Sequence, residues 1–372
     1  MKRSRIDPNR VSLWQRLHID LPLLLGLLVL MGVGLFVIFS AGGQDWDLIN
    51  RQLVRLAIAL AVMILVAQIP PLVYRSLSIH FYIAGLLLLV AVLAFGDIGK
   101  GAQRWLDLGF MRFQPSEIMK LAVPMMMAWY ISRYNLPPRF MHILAGFVLV
   151  MVPTLLIAKQ PDLGTSLLIA SSGLFVLFLA GVSWKLIGSV AVLLSGFTPI
   201  MWFFLMQDYQ KQRVLTFLNP ESDPLGSGYH IIQSKIAIGS GGYSGKGWLH
   251  GTQSQLEFLP ERHTDFIFAV FSEEFGFVGI LALLVLYGFI LIRGMTIAMR
   301  AQEAYSKLLA GSITLTFFVY VFVNMGMVSG ILPVVGVPLP LVSYGGTSMV
   351  TLLAGFGMLM SIGTQRRLLS RQ

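Results

Sequence analysis

Ten runs of apolar residues, each long enough to cross a lipid bilayer, constrain the fold of this chain more than any other feature. A transmembrane helix needs about 17–25 residues that are mostly apolar. The runs lie near residues 21–41, 50–69, 79–96, 116–131, 141–158, 163–181, 185–206, 265–292, 307–331 and 341–363. We therefore predict an all-α integral membrane protein, with residues 1–372 forming a single polytopic domain of about ten transmembrane helices.

Composition supports the membrane class and excludes several others. Charged residues make up only 12% of the chain, whereas a soluble domain carries about 25%. The net charge of +10 does not indicate nucleic-acid binding, because the lysines and arginines lie between apolar runs and form no basic tract with interleaved aromatic residues. The chain has no cysteine, which excludes disulfide bonds and thiol chemistry.

The distribution of positive charge predicts the orientation in the membrane. Of the 27 lysines and arginines, 15 fall on segments that we predict to be cytoplasmic, and most of the others lie in long outside segments that translocate regardless of charge. We expect residues 1–18 and 365–372 to be cytoplasmic and residues 207–264 to form one large extracytoplasmic loop. The run that begins at Leu21 exceeds a signal-peptide core of about 7–15 residues, so it predicts a retained helix.

The polar segment 97–115 is too hydrophilic to span the membrane and leads into a helix with charged residues. Pro115 suits the first turn of that helix. Glu117 and Lys120 are three residues apart, so they share one helical face. The segment therefore brings several polar side chains to one end of the bundle.

The large loop contains a predicted amphipathic helix and a glycine-rich stretch. Tyr229, Ile232 and Ile236 form an i, i+3, i+7 stripe, which is typical of a short helix lying on the bilayer. Residues 239–247 look superficially like a P-loop, but they lack its first glycine and its final Ser or Thr. We interpret them as a glycine loop whose backbone N–H groups can approach a phosphate.

Residues 330–347 cannot form a helix that faces lipid, because they carry three prolines and four glycines. Backbone of this kind at membrane depth must be packed within protein or line a wet cavity. We expect the segment to lie beside the same cavity as Asp265.

The stretch 256–268 gathers five titratable side chains where the large loop meets an apolar helix. A carboxylate at the head of a membrane helix indicates a functional site by default. Asp265 is suited to act as a general base toward an acceptor hydroxyl, while cations hold the phosphates of a leaving group. The cations predicted on that side of the membrane are Arg104, Arg112, Lys120, Lys246 and Arg262.

The same stretch also has a purely structural interpretation. Thr264 or Asp265 caps a helix in that interpretation, as most Asp residues at helix starts do. A helix N-terminus also favours the ionised carboxylate, which weakens it as a base. Burial in a cleft acts in the opposite direction, and the sequence does not decide between the two.

Two adjacent carboxylates, Glu273 and Glu274, precede the apolar part of the following helix. We expect them in a helical extension toward the outer surface or at a break near Gly276. In the alternative, they form a buried pair with Arg262 or Lys120. A charge that faces lipid at mid-membrane costs at least about 2.5 kcal/mol, so either arrangement must face protein or a polar cleft.

Five motifs together resemble those of the SEDS family of polytopic peptidoglycan polymerases, and nearly the whole chain is covered by the resemblance. The motifs are KGAQRW at 100–105, FQPSE at 113–117, QPDLGT at 160–165, LPERHTDFI at 259–267 and PLPLVSYGG at 338–346. A sixth run, GWLHGTQSQ at 247–255, resembles the elongation member of the family. No motif position departs from the family pattern.

The resemblance implies a ten-helix fold and a function in cell-wall elongation. The implied reaction transfers a glycan from undecaprenyl pyrophosphate to lipid II, with Asp265 as the essential carboxylate. The positions that match other functionally sensitive residues of the family are Arg112, Gln114, Glu117 and Lys120. The implied location is the bacterial inner membrane, with the active site facing the periplasm. The implied partners are a class B penicillin-binding transpeptidase and a complex organised by MreB-type filaments.

Two other functions stay open from the sequence. A lipid II flippase also needs a polar cleft with phosphate-binding cations, and an inert scaffold for the transpeptidase needs only a docking face. Transporters often show paired inverted repeats, and none is evident here. No cofactor is predicted and a divalent cation is left open, although no second His or Cys stands at metal-ligand spacing from His263.

Overall fold

A computed structural model describes residues 17–99, 102–107, 112–222, 227–255 and 262–369. This part of the chain is mainly helical, with one small antiparallel sheet. Predictions for residues 1–16, 256–261 and 370–372 lie outside the described residues. The helices are α1 (Leu21–Ala41), α2 (Trp46–Ala67), α3 (Pro71–Phe95), α4 (Pro115–Ile131), α5 (Phe140–Lys159), α6 (Leu163–Leu179), α7 (Trp184–Ile200), α8 (Asp208–Leu218), α9 (Ser227–Gly241), α10 (Thr252–Gln255), α11 (Ile267–Arg300), α12 (Ala304–Val328) and α13 (Thr347–Leu369).

Seven of the described helices are long and apolar enough to cross a membrane. They are α1, α2, α3, α5, α11, α12 and α13. Helices α4, α6 and α7 have 17 residues each, about 26 Å of helix, which is at the short end for a span. The predicted class of polytopic α-helical membrane protein is confirmed, whereas the count of about ten spans stays a prediction.

Helix starts follow the capping signals in the sequence. Asp20 caps α1, because its Oδ1 accepts a hydrogen bond from the Leu23 N–H at 3.1 Å. Asp162 caps α6 in the same way through the Thr165 N–H, also at 3.1 Å. Pro115 occupies the first turn of α4, as predicted.

Two helices extend beyond their apolar runs. Helix α3 begins at Pro71 rather than near residue 79, and its first turns bury Tyr74 and Ser78. Ser78 Oγ lies 3.1 Å from Tyr305 Oη, so polar side chains continue the helix because they find partners inside the bundle. Helix α11 likewise continues to Arg300, beyond the predicted end near residue 292.

The polar segment before α4 folds as a three-stranded sheet of β1 (Asp97–Gly99), β2 (Ala102–Asp107) and β3 (Arg112–Phe113). Both strand pairs are antiparallel. We did not predict these strands, because β1 has three residues and β3 has two, too few for a period of two to be recognised. The sheet leads directly into α4.

Helix α9 is present where an amphipathic helix was predicted, but its buried face is not the predicted stripe. The buried residues are Ile231, Ser234 and Ala237, whereas Ile236 of the predicted stripe is 45% exposed. Ser234 Oγ donates to the Val328 carbonyl oxygen at 2.8 Å, which fixes α9 to the end of α12. Small side chains on this face allow the close approach to α11 and α12.

Helix α12 lies at the centre of the bundle and packs against α4, α6, α11 and α13. The segment between α12 and α13 is not helical, and it too is packed against other parts of the chain. A Cβ atom on Gly34 of α1 would stand only 2.7 Å from the Leu341 carbonyl oxygen. The part of the segment around Leu341 and Val342 is therefore packed against α1 and buried, whereas Ile331 is 67% exposed.

Candidate active site

Asp265 lies in a turn formed by residues 262–266, just before α11. The N-cap residue of α11 is Phe266, so the capping role proposed for Thr264 or Asp265 is wrong. The Asp265 carbonyl oxygen accepts a hydrogen bond from Nδ2 of Asn324 in α12 at 2.9 Å. The Asp265 carboxylate is half-buried.

The segment between α12 and α13 packs directly on this turn, as predicted. Ser343 Oγ donates to the Thr264 carbonyl oxygen at 2.7 Å, and the Tyr344 N–H donates to the His263 carbonyl oxygen at 2.8 Å. An ideal Cβ on Gly336 would stand 3.6 Å from Asp265 Oδ2. These contacts place the carboxylate against the non-helical backbone at Gly336, which is exposed.

A buried ion pair packs against α12, the helix whose Asn324 also binds the Asp265 backbone. Lys120 Nζ lies 2.7 Å from Glu117 Oε1, and the two side chains are only 9% and 8% exposed. The ammonium of Lys120 also lies 5.5 Å from the centre of the Tyr320 ring. Tyr320 and Asn324 are four residues apart on α12, so they share one face and are separated by about 6 Å along the axis. The ion pair and the Asp265 turn are therefore neighbours on that face.

Asp162 connects the sheet, α4 and α6. Its Oδ2 accepts a hydrogen bond from Gln114 Nε2 at 3.2 Å and lies 3.9 Å from Nη1 of Arg104. Arg104 also donates through Nε to the Gln160 carbonyl oxygen at 3.3 Å and through Nη2 to the Pro161 carbonyl oxygen. Arg104 and Gln114 are therefore held together by one carboxylate.

The start of α6 joins this cluster to the Asp265 turn. A Cβ on Gly164 would stand 2.6 Å from the Val335 carbonyl oxygen and 2.9 Å from the Val337 side chain. Val335 and Val337 flank Gly336, which lies against the Asp265 carboxylate. The Asp162 cluster is thus linked to the Asp265 turn by backbone packing, and we refer to Asp265, the Glu117–Lys120 pair and the Asp162 cluster together as the polar region.

Lys246 is not part of this region. Its ammonium lies 2.7 Å from Glu273 Oε1, and the Glu273 side chain is completely buried. Glu273 is six residues into α11, about 9 Å along the axis from its first residue. Lys246 is therefore the partner of Glu273 in place of Arg262 or Lys120. The phosphate-binding role of Lys246 stays a prediction.

The glycine loop is also engaged within the protein. The N–H groups of residues 245, 246 and 247 donate to the carbonyl oxygens of Gly241, Glu273 and Glu274, so they are not directed at a phosphate. The predicted break in α11 is present at Gly276, with φ 62° and ψ −162°. Beyond the break, the Phe277 and Val278 N–H groups donate to loop carbonyl oxygens at 3.0 and 3.1 Å. The loop therefore supplies hydrogen bonds that the interrupted helix lacks.

Comparisons with known proteins decide the family. The profile FTSW_RODA_SPOVE, described as cell cycle protein, matches residues 14–368. The chain belongs to this family. The resemblance to the SEDS polymerases that the motifs carry is therefore confirmed.

Individual members of the family match over nearly their full length. Peptidoglycan glycosyltransferase MrdB of Escherichia coli (strain K12) is 61% identical over 365 residues, which cover 98% of this chain and 99% of that protein. A chain from a solved peptidoglycan synthase complex that coordinates polymerization and crosslinking is 34% identical, with a TM-score of 0.81, and covers 93% of this chain and 98% of that chain. The rod shape determining protein RodA of Thermus thermophilus is 28% identical, with a TM-score of 0.70, and covers 96% of this chain and 99% of that chain.

The other predicted site residues of this family member fall in or beside the polar region. Arg262 lies in the same turn as Asp265. Arg112 lies in β3 opposite Asp107, two residues before Gln114. Among the residues that the structure describes, no group of three His, Cys, Asp or Glu side chains is placed to hold a metal ion.

Two polar residues were missed by the sequence reasoning. Asp162 stands within the QPDLGT motif, but no role was assigned to it from the sequence. Arg55 stands inside the predicted span 50–69, where a charged residue is itself a signal of function. Both side chains contact residues from distant parts of the chain, which sequence spacing does not reveal.

Proposed function

We propose that this chain transfers a glycan from undecaprenyl pyrophosphate to lipid II, with Asp265 as the general base. The reaction class is peptidoglycan glycosyl transfer, the activity named for the Escherichia coli relative that is 61% identical over 98% of this chain. The observation that carries the site is the position of Asp265. Its carboxylate stands at the head of a membrane helix beside a buried ion pair, and its backbone is held by Asn324.

The reaction requires a proton acceptor and a means of stabilising a phosphorylated leaving group. The acceptor hydroxyl of lipid II attacks the anomeric carbon of the donor sugar and loses its proton to the Asp265 carboxylate. The bond from that carbon to the pyrophosphate oxygen breaks, and the lipid pyrophosphate leaves with the electron pair. A positioned general base typically contributes about 10²–10⁴-fold to the rate.

The cations that bind the pyrophosphate are those of the polar region. Arg104 and Arg112 lie in the sheet, and Arg262 lies in the same turn as Asp265. Lys120 carries its charge beside Glu117, so the pair has no net charge, and Lys120 can contribute to binding through the ammonium hydrogens that Glu117 does not accept. Gln114, hydrogen-bonded to Asp162, is a neutral donor at the same place. Arginine is well suited to this role because its planar fork binds phosphate through two parallel hydrogen bonds.

The cellular setting follows from the same assignment. The chain acts in the bacterial inner membrane with both termini in the cytoplasm and the site facing the periplasm. A class B penicillin-binding transpeptidase is its partner, within an elongation complex organised by MreB-type filaments. This proposal is supported by the similarity to a chain of a peptidoglycan synthase complex that coordinates polymerization and crosslinking.

The test is polymerisation of purified lipid II in detergent by Asp265→Asn. Asparagine keeps the size of the side chain and removes its charge and basicity, so the rate should fall by about 10²–10⁴-fold. Asp47→Asn is the matched control, because the Asp47 side chain is exposed at the start of α2 and the described hydrogen bonds of Asp47 involve only its backbone. It should polymerise at the wild-type rate. Wild-type activity in Asp265→Asn would refute the role of this carboxylate.

Detergent also separates an enzyme from a flippase. A flippase has nothing to flip without a bilayer, so it would make no glycan from lipid II under these conditions. If the wild-type chain with its transpeptidase makes no polymer in detergent, the glycosyltransferase assignment fails and the flippase alternative replaces it.

A further inference from the structure

The turn between α4 and α5 carries two arginines at the end of the bundle that lies away from Asp265. Helix α4 begins at Pro115, beside the Asp162 cluster, and its 17 residues place the turn about 26 Å from that start. Arg133 and Arg139, at either side of the turn, are both exposed. The sequence has no acidic residue from 118 to 161 or from 163 to 207, so α5, α6 and α7 supply no negative charge.

The Arg133 side chain is held in place by an aromatic ring. Its guanidinium carbon lies 3.7 Å from the centre of the Trp129 ring, which is a close cation–π contact. A guanidinium that lies on a ring keeps its N–H donors in its own plane, where they can bind two oxygen atoms of one phosphate. In the part of the chain that the structure describes, no carboxylate forms an ion pair with Arg133 or Arg139.

A stack of rings joins the two ends of this turn. The Tyr134 and His142 rings lie 3.7 Å apart and are inclined by only 16°, and the Tyr130 ring meets Tyr134 edge to face at 5.4 Å. Tyr134 directly follows Arg133, and His142 stands three residues after Arg139, on the same face of the first turn of α5. The stack therefore keeps the two arginines on one surface.

The turn between α6 and α7 lies beside this surface and shows its depth in the membrane. A Cβ on Gly181 would stand 3.6 Å from Pro137 Cβ, so the two turns are neighbours. Trp184, the first residue of α7, is 75% exposed and meets the Phe178 ring edge to face at 5.7 Å. Exposed tryptophans at helix ends are typical of the level of the lipid headgroups.

An apolar surface on α5 begins directly after Arg139. Phe140 and Met141 are 62% and 70% exposed, and Leu144 and Phe147 continue the exposed surface along the helix. Helix α5 is long and apolar enough to cross the membrane, so these side chains contact acyl chains. The two arginines thus stand where a lipid headgroup meets its hydrocarbon chains.

We propose that Arg133 and Arg139 bind the headgroup phosphate of an anionic phospholipid whose acyl chains lie along α5. Charge complementarity and the adjoining apolar surface decide the occupant. The ammonium of a zwitterionic headgroup would be repelled by two arginines, and an acidic protein segment would leave the exposed face of α5 unused. Basic sites at helix ends are known binding places for anionic headgroups. The inference is independent of the proposed function, because it requires neither substrate nor turnover.

The experiment titrates the purified, delipidated full-length chain with single phospholipids and measures binding by native mass spectrometry. Cardiolipin and phosphatidylglycerol should bind, and phosphatidylethanolamine should bind at least about 10-fold more weakly. Arg133→Gln and Arg139→Gln should each weaken binding of the anionic lipids by about 5- to 20-fold, the loss expected for one charged hydrogen-bonding partner.

Arg300→Gln is the matched control. Arg300 is exposed at the far end of α11, at the same end of the bundle, so this variant removes the same charge from a place without the ring stack. Its binding should stay at the wild-type level. Trp129→Leu keeps both arginines and removes the ring beneath Arg133, so it should weaken binding by about 2- to 5-fold. Arg133→Lys keeps the charge without the planar fork and gives a result if Arg133→Gln cannot be purified.

Three results would overturn the proposal. The first is unchanged lipid binding by both Arg133→Gln and Arg139→Gln. The second is an equal loss in Arg300→Gln, which would show that the lipids respond only to the total charge of that end of the bundle. The third is displacement of the bound lipid by poly-glutamate at equal charge concentration, which would show that the surface fits an acidic protein segment instead.

Discussion

Replacing Lys246 by methionine should destabilise the protein although Lys246 lies in the loop between α9 and α10. The Glu273 carboxylate is completely buried and lies 2.7 Å from the Lys246 ammonium. It also accepts hydrogen bonds from Thr252 Oγ1 at 3.0 Å and from the Gln253 N–H at 3.1 Å. Lys246→Met removes the charge and leaves an ionised carboxylate with neutral donors only.

The size of the effect follows from the environment of the pair. Breaking a fully buried ion pair by removing one partner costs about 3–5 kcal/mol. The Lys246 side chain is 28% exposed and two neutral donors remain, so we expect about 2–3 kcal/mol here. Glu273→Gln keeps an acceptor and leaves a cation that water can reach, so it should cost about 1–2 kcal/mol.

The assay is a double-mutant cycle on the free energy of unfolding, measured by denaturant titration of the purified protein in detergent. The double variant Lys246→Met with Glu273→Gln leaves no unpaired charge, so its loss should be smaller than the sum of the single losses by about 1–3 kcal/mol. Lys185→Met is the control, since Lys185 is exposed on α7, and it should change stability by less than about 0.5 kcal/mol. If the two single losses in unfolding free energy simply add in the double variant, the Lys246–Glu273 ion pair between the glycine loop and α11 does not stabilise the protein.

Two further predictions concern the polar region. The effects of Lys120→Met and Glu117→Gln on the free energy of unfolding should couple by at least about 1 kcal/mol, because the two side chains are buried together. Lys120→Met should also weaken lipid II binding when Glu117 is already Gln. Unchanged binding in that background would show that Lys120 only forms an ion pair with Glu117 and does not contact substrate. Asn324→Leu removes the donor to the carbonyl oxygens of Asp265 and Val337, at a cost of about 1–3 kcal/mol for each group left unsatisfied. It should lower kcat for polymerisation more than it changes KM, and the opposite pattern would contradict a role in positioning Asp265.

The helical part of the fold is predictable from the sequence because each spanning helix carries its own signal. Apolar length locates α1, α2 and α12, and Pro115 and the other capping residues mark helix starts. The break in α11 was also predictable, since Gly276 follows two carboxylates that cannot face lipid. These are local properties of short stretches.

The partners of the charged side chains were not predictable, because they come from distant parts of the chain. Lys246 was expected to hold phosphate, yet its partner Glu273 is 27 residues away and belongs to another element. Arg104, which we propose as a substrate cation, is positioned by Asp162 and two carbonyl groups beyond α5. Composition and periodicity locate elements, whereas these pairings depend on how the elements are arranged.

The contacts around the Asp265 turn also determine when the turn is completed during biosynthesis. The chain is made from its N-terminus, so the turn is synthesised before Asn324, Ser343 and Tyr344, the residues that bind its carbonyl oxygens. Until α12 and the following segment have been inserted, those carbonyl groups lack their final partners. A ribosome that stalls after α11 would therefore leave a nascent chain that contains α11 but has an unfinished turn. Quality-control proteases that sample such chains would find their earliest cleavage sites there, because an incompletely bonded backbone opens most easily.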